Sequence, residues 1–238
     1  MKLELLKRAV ESAAAGQPAA LVTDIKSGLQ ELIQGADFKG NIRQSESLIA
    51  AIRQALVDDR STLIETPEGK VFIEVFNPPL RLMVVGAVHI AQPLARMAAM
   101  AGYAVTVIDP RSAFASSERF PGVELSTEWP DEAMARLKPD RRSAIVTLTH
   151  DPKVDDPALI AALKSPAFYV GALGSKKTHA ARLKRLAEAG FKETDFARIH
   201  GPVGLDIGAV SPTEIAVSIL AQITATLRAD RLKSRQAA

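Results

Sequence analysis

The chain has 238 residues, 47% of them hydrophobic and 24% charged, so it carries enough apolar material for a core and is not globally disordered. It contains no Cys, which excludes a disulfide scaffold, thiolate catalysis and zinc or iron–sulfur ligation by its own thiols. Thirty basic against 27 acidic residues leave a net charge of +3, with 5% aromatics: a mild attraction for anions, without the clustered charge or stacking platforms of a nucleic-acid binder.

The opening MKLELLKRAVESAAAG mixes charges into every turn and has no apolar signal-peptide region. No apolar run approaches the length of a membrane span, so no membrane association is expected and the cytoplasm is the expected location. Leu3, Leu6, Val10 and Ala13 or Ala14 recur at helical spacing until Gly16. Ala19 to Ile25 reads as a short strand, Ser45 to Val57 as a helix through Leu48, Ile52 and Leu56, and Lys70 to Phe76 as a strand. Asn77-Pro78-Pro79 can continue neither ladder nor helix and marks a boundary.

Beyond it the pattern changes. Leu82 to Gly86 is a continuous apolar run, as a strand buried on both faces requires. An Ala-rich helix over 89–101 leads to a second such strand, Tyr103 to Ile108, closed by Asp109-Pro110. Val123 to Ser126 predicts a third strand and Ala144 to Thr149 a fourth, after a helix near 131–137. A helix over 156–163 precedes a fifth strand, Ala167 to Gly171. A basic helix over 176–189 and a final helix from Pro212 to about Leu227 complete the pattern. Strands alternating with helices predict the α/β class: a Rossmann-like, doubly wound parallel sheet preceded by a smaller α/β domain. The expected division is 1–77, 81–230 and a polar tail over 231–238.

Four places offer chemistry. After the first buried strand, Gly86-Ala87-Val88-His89-Ile90-Ala91 matches two positions of the dinucleotide fingerprint G-x-G-x-x-G/A, with Asp109 where a ribose-binding acid belongs and Arg111 beside it. Val88 replaces the middle glycine, where a β-branched side chain crowds an approaching pyrophosphate. The fourth strand ends in Thr149-His150-Asp151, at the edge where open α/β sheets bind ligands; His150 either donates to an anion, acts as an acid or base or ligates a metal there, or else caps a loop or helix with Asp151 as a turn residue. Asp155 and Asp156 read as a helix cap and a solvated charge. Gly171-Ala172-Leu173-Gly174-Ser175-Lys176-Lys177 joins a strand to the basic helix. Its glycines free backbone amides, Ser175 caps, and the lysines add charge: a cradle for phosphate, with the distal Arg182, Lys184 and Arg185 read as solvated. Finally Gly201-Pro202-Val203-Gly204-Leu205-Asp206-Ile207-Gly208 is a Gly-rich apolar loop in which Asp206 stands out, before the capping box Ser211-Pro212-Thr213-Glu214.

In this order the four places resemble the xanthine dehydrogenase accessory protein family (XdhC/CoxI). The stretches that carry the resemblance are RLMVVGAVHIAQPLARMAAMAGYAVTVIDPRSAFASSERFP, VTLTHDPKVDDPAL, YVGALGSKKT and GPVGLDIGAVSPTEIAVSILAQI, which cover most of residues 81–227. The resemblance implies a factor that binds molybdenum cofactor (molybdopterin), protects it while a cysteine desulfurase sulfurates it, and delivers it to a molybdenum hydroxylase apoenzyme. It also implies a homodimer. Members typically carry a longer N-terminal domain with Gly-Ser-x-Pro-Arg and Gly-Gly-Cys segments; residues 19–45 here contain neither, and Gln222 stands where the family usually has an acidic residue.

Three functions follow as expectations. A non-catalytic cofactor chaperone would use Gly86, His89, Asp109, Arg111, His150, Asp151, Gly171, Gly174, Ser175, Lys176, Gly204 and Asp206 as its cofactor-binding residues. An oxidoreductase would bind NAD(P) at Asp109 and the partial fingerprint, against which Val88 argues. A docking protein would bind the hydroxylase without a small ligand.

Overall fold

The computed structural model describes residues 3–34, 45–67 and 69–229; the expected tail over 231–238 lies outside them. The chain divides into two compact units, Met1–Pro79 and Leu80–Ala238.

The first unit contains α1 (Leu3–Ala14), β1 (Ala19–Asp24), β2 (Gln30–Gln34), α2 (Glu46–Asp58), β3 (Thr62–Thr66) and β4 (Gly69–Phe76). Its strands form an antiparallel sheet in the order β2-β1-β4-β3. The β1–β2 turn is set by Asp24, whose carboxylate accepts from both the backbone and the hydroxyl of Ser27. Ser45 caps α2 by accepting from Leu48 N, and Leu48, Ile52 and Ala55 then pack on Ala20, Val22, Val71 and Ile73. Neither β2 nor β3 is predicted from the sequence. Both are edge strands, and TLIET alternates between half-buried and exposed positions, so no apolar run marks it.

The second unit runs β5 (Arg81–Val85), α3 (Ala91–Met100), β6 (Ala104–Ile108), β7 (Glu124–Ser126), α4 (Pro130–Leu137), β8 (Ser143–Thr147), α5 (Pro152–Lys164), β9 (Tyr169–Ala172), α6 (Lys176–Glu188), α7 (Glu193–Phe196), β10 (Ile199–His200) and α8 (Pro212–Leu227). All neighbours in its sheet pair in parallel, in the order β10-β9-β8-β5-β6-β7. Counted along this unit, that is the 3-2-1-4-5-6 order of dinucleotide-binding doubly wound sheets. Alternate residues of the strands face opposite layers. Leu82, Val84, Val107 and Val146 pack with α3 and α8 on one face; Met83, Val85, Ile108 and Ile145 pack with α4, α5 and α6 on the other. Burial on both faces is why these strands read as unbroken apolar runs.

Helices α5 and α7 and strand β10 differ from the sequence expectation, the four-residue α7 being additional. Helix α5 starts at Pro152 rather than near 156, because Asp151 caps it and Pro152 takes the first turn; Pro157 lies inside the helix and gives up one backbone donor. Strand β10 is additional, since its two residues are too short for any periodicity to show. No helix among the described residues is long and apolar enough to cross a membrane.

Candidate functional site

Strands β5, β6, β8, β9 and β10 end at Val85, Ile108, Thr147, Ala172 and His200, and each motif stretch begins within two residues of one of those ends. The parallel topology therefore collects all of them along one edge of the sheet. Strands β5 and β8 are neighbours there although far apart in sequence, which makes their ends the switch point where such sheets hold ligands.

Gly86 sits at that point with φ +105, and a Cβ on it would lie 2.4 Å from Thr149 Cγ2. The glycine is thus required by the close approach of the β5 and β8 loops. Val88 is half-buried and packs against the α3-side core. His89 is exposed and lines a cleft of about 470 Å³ with Gln92, Arg96, Pro212 and Thr213, at the start of α3 and α8. Neither His150 nor Gly174 lines that cleft.

Asp109 is fully buried, and its two oxygens accept four hydrogen bonds: from Ala87 N (2.8 Å), Arg111 N (3.0 Å), Arg111 Nε (2.8 Å) and Arg111 Nη2 (2.8 Å). Burial alone would raise this carboxyl, but the bonds from Arg111 and Ala87 outweigh it and hold it below the usual range. The residue at the ribose-binding position is consequently occupied in tying the β5 loop to the β6 loop. The Arg111 side chain stays partly exposed, stacks over Phe114, and feels the negative charge of Asp151 and Asp155.

The loop after β8 brings a correction. Asp155, expected as a cap or solvated charge, is buried, and Asp151 is the cap of α5, accepting from Lys153 N. Asp155 accepts from Thr149 N (3.2 Å), Thr149 Oγ1 (2.6 Å) and His150 N (3.1 Å). His150 is exposed and held at φ +64, a left-handed conformation that few non-glycine residues adopt. Asp156 pairs with Arg185, so neither is simply solvated. Arg182, also expected to be solvated, is buried beneath the same loops. Helical spacing alone does not show which side of a basic helix turns inward, and that is why these charges look solvated in the sequence.

Gly174 and Ser175 open α6. Ser175 accepts from Thr178 N, and the first turn holds Lys176 and Lys177, both exposed, with no acidic residue. A Cβ at Gly174 would meet Thr178 at 3.1 Å and His150 Nδ1 at 3.7 Å, so the imidazole borders this turn. Gly171 is different: it lies within β9, and its missing side chain admits Val203 and the Tyr169 ring, a packing role.

The Gly-rich loop is anchored from α8. Gln222 Oε1 accepts from Gly204 N (2.9 Å) and from the Tyr169 hydroxyl (2.6 Å), while its Nε2 donates to Gly204 O. Gly204, at φ +99, leaves room for Ser218 Oγ, which a Cβ would approach to 2.3 Å. Leu205, Asp206, Ile207 and Gly208 are exposed, and Asp206 makes no ion pair or side-chain hydrogen bond among the described residues.

Two histidines behind this loop carry a pH dependence. His200 stacks on Tyr169 (4.6 Å between ring centroids), and His179 packs against Gly201 with its Nδ1 buried and unpartnered. Burial lowers both below 6.5, and nearby Arg182 adds to the effect at His179. The unfolded chain therefore binds more protons than the folded one just below that value. The stabilisation from keeping them neutral is complete above the unfolded value and is lost as the pH falls through the lowered folded values. Thermal melts between pH 5 and 7.5 should show stability rising with pH. His200→Phe, which keeps the stack, should flatten that slope.

The structure thus joins Gly86, Asp109, Arg111, His150, Asp151, Gly174, Ser175 and Lys176 around the switch-point crevice. Gly204 and Asp206 lie in the loop after β10, and His89 faces a separate cleft. Among the described residues no group of three or more His, Asp or Glu stands together as a metal site.

The sheet order and the parallel pairing define a Rossmann-type domain. The model of the family described as the XdhC Rossmann domain matches residues 82–223, and the chain belongs to that family. It is similar to a probable xanthine dehydrogenase subunit of Bacillus subtilis (strain 168), 36% identical over 156 residues, covering 65% of this chain and 45% of that protein. It is similar to the molybdenum cofactor insertion chaperone PaoD of Escherichia coli (strain K12), 33% identical over 148 residues, covering 62% and 40%. It is also similar to the uncharacterized protein YqeB of the same strain, 35% identical over 157 residues, covering 64% and 28%. The chain spans less than half the length of each of these relatives. A solved xanthine dehydrogenase structure from Bacillus halodurans shares the fold with a TM-score of 0.71 at 24% identity, over 95% of this chain and 64% of that one.

Proposed function

We propose that the chain is a maturation factor for a molybdenum hydroxylase of the xanthine dehydrogenase or carbon monoxide dehydrogenase type, and that its crevice binds molybdenum cofactor through the phosphate and the pterin. The observation that carries this reading is the start of α6: a glycine turn, a serine cap, two exposed lysines and no acid in the first turn, at the ligand-binding edge of the sheet. Such a helix start attracts a dianion through its free amides and dipole. The names of two relatives, one a cofactor insertion chaperone and one part of a dehydrogenase, support the coarser maturation role.

Gly174, Ser175 and Lys176 would hold the phosphate, His150 and Asp151 would border the pterin, and the Gly204–Gly208 loop would wall the crevice. Arg111, paired with Asp109 and partly exposed, adds a cation at the end of β6. Once delivered, the cofactor supplies the client enzyme with its molybdenum centre. The chain has no Cys and cannot carry a persulfide itself, so sulfur would come from a partner cysteine desulfurase.

Anaerobic equilibrium binding of isolated molybdenum cofactor to the purified protein tests this. Saturable, near-stoichiometric binding is expected, and Ser175→Ala combined with Lys176→Ala should weaken it about tenfold, the equivalent of about 1.4 kcal/mol and one charge-assisted hydrogen bond. Absence of binding to the intact protein would sink the proposal.

A further inference from the structure

Asp155 and Arg182 are 1% and 2% exposed and belong to different elements, α5 and α6. Asp155 reaches the loop after β8, where it takes the backbone of Thr149 and His150 and the Thr149 hydroxyl. Arg182 reaches the loop after β9, donating from Nη2 to Leu173 O at 2.7 Å, one residue before Gly174. The same nitrogen lies 3.8 Å from Asp155 Oδ2. The two loops that face each other across the crevice are therefore linked underneath by one charged pair.

The pair is a poor device for stability. Burial pushes Asp155 up and Arg182 down, so desolvation outweighs their attraction at this separation. Arg182 Nε and Nη1 are buried with no hydrogen-bond partner. A buried pair with unmet donors calls for a reason other than folding. What the pair does accomplish is local: three bonds to one carboxylate keep His150 in its left-handed conformation, with the imidazole next to the Gly174 turn. Strain of this kind persists where the surroundings over-determine it, and such places cluster at ligand sites.

We propose that Asp155 and Arg182 are positioning residues of the crevice, a buried strut that sets His150 and the α6 N-terminus at the separation one phosphate-bearing ligand requires. This rests on the crevice being the binding site proposed above. Neither residue touches the ligand; each acts through a loop, Asp155 through His150 and Arg182 through Leu173 and Gly174.

The test uses the whole chain and inorganic phosphate as probe. The chain has four histidines, so the imidazole proton resonances are few, and His150→Gly identifies one of them by its disappearance. Glycine takes φ +64 without strain, so that variant should melt no lower than wild type while losing phosphate affinity. Arg182→Met removes the strut and its unmet donors. We expect its melting temperature to fall, because Asp155 is left buried without its counter-ion; in conditions where the variant is fully folded, its phosphate dissociation constant should rise at least tenfold and the ligand-free His150 resonance should move. Arg182→Lys, which can still donate to Leu173 O, should restore both the resonance and the affinity. Equal phosphate affinity in wild type and Arg182→Met overturns the proposal, and so does a loss of affinity that only tracks loss of folding. Should wild type itself not take phosphate, the binding-site reading fails separately. The strut is then judged on the ligand-free His150 resonance, and an unchanged signal in Arg182→Met overturns it too.

Discussion

Asp109→Ala is expected to cost about 2–4 kcal/mol of unfolding free energy, measured by urea denaturation at neutral pH. Four donors converge on this fully buried carboxylate, but they do not suffer equally from its loss. The Arg111 side chain is partly exposed and regains water. Ala87 is fully buried, so its N–H keeps no partner and carries most of the penalty. Asp109→Asn preserves the volume but turns an amide donor toward donors, and should fall between Ala and wild type. The pH profile separates charge from packing. Because the folded carboxyl is held below its ordinary value, its contribution is complete above the unfolded value near 3.8 and is lost as the pH falls through the folded one. The acid limb of the stability curve should therefore be shallower in both variants.

The same saturation bears on cofactor choice. A ribose hydroxyl seeking Asp109 would have to displace Arg111 from a two-pronged pair. Millimolar NADH is accordingly expected to leave the melting temperature unchanged, whereas a ligand far above its dissociation constant must raise it. A clear rise would reopen the oxidoreductase reading and make Arg111 the residue to examine.

What the sequence discloses here depends on how local the signal is. Strands β5, β6 and β8 are legible because burial on both faces leaves unbroken apolar runs, and the capping box of α8 is legible because it repeats a fixed spacing. The ends of those strands lead directly to Gly86 and His150, and the Gly-Ser turn to Ser175. Edge strands β2 and β3 are hidden by their mixed exposure. The strut is hidden for another reason. Asp155 follows Asp151 by one helical turn, and Arg182 shares α6 with Lys176, Lys177, Lys184 and Arg185, so each looks like a surface charge. Only the folding of α5 and α6 onto the same face of the sheet turns both inward. Gln222 shows the same limit, since its contact with Gly204 joins α8 to a loop 18 residues away.

Gly86→Ala is the substitution expected to damage the crevice most directly, with a loss of about 3 kcal/mol from backbone strain and overpacking together. Its φ of +105 is unfavourable for any L side chain, and the new methyl would sit 2.4 Å from Thr149 Cγ2 and 3.3 Å from Thr149 N. Thr149 cannot simply rotate away, because its hydroxyl is fixed at 2.6 Å on buried Asp155. Relief must come either by breaking that bond, which frees the His150 loop, or by spreading β5 from β8. Both routes open the crevice, so if it is the cofactor site proposed above, molybdenum cofactor affinity should fall with stability. Thr149→Ser separates the two causes, for it removes Cγ2 and keeps the hydroxyl on Asp155. In the double variant the steric part should disappear while the strain at residue 86 remains, recovering roughly half of the lost stability, a coupling of about 1.5 kcal/mol in the double-mutant cycle. A cycle that closes additively would mean that the methyl is accommodated elsewhere, and that Gly86 is required for its backbone conformation rather than for the approach of Thr149.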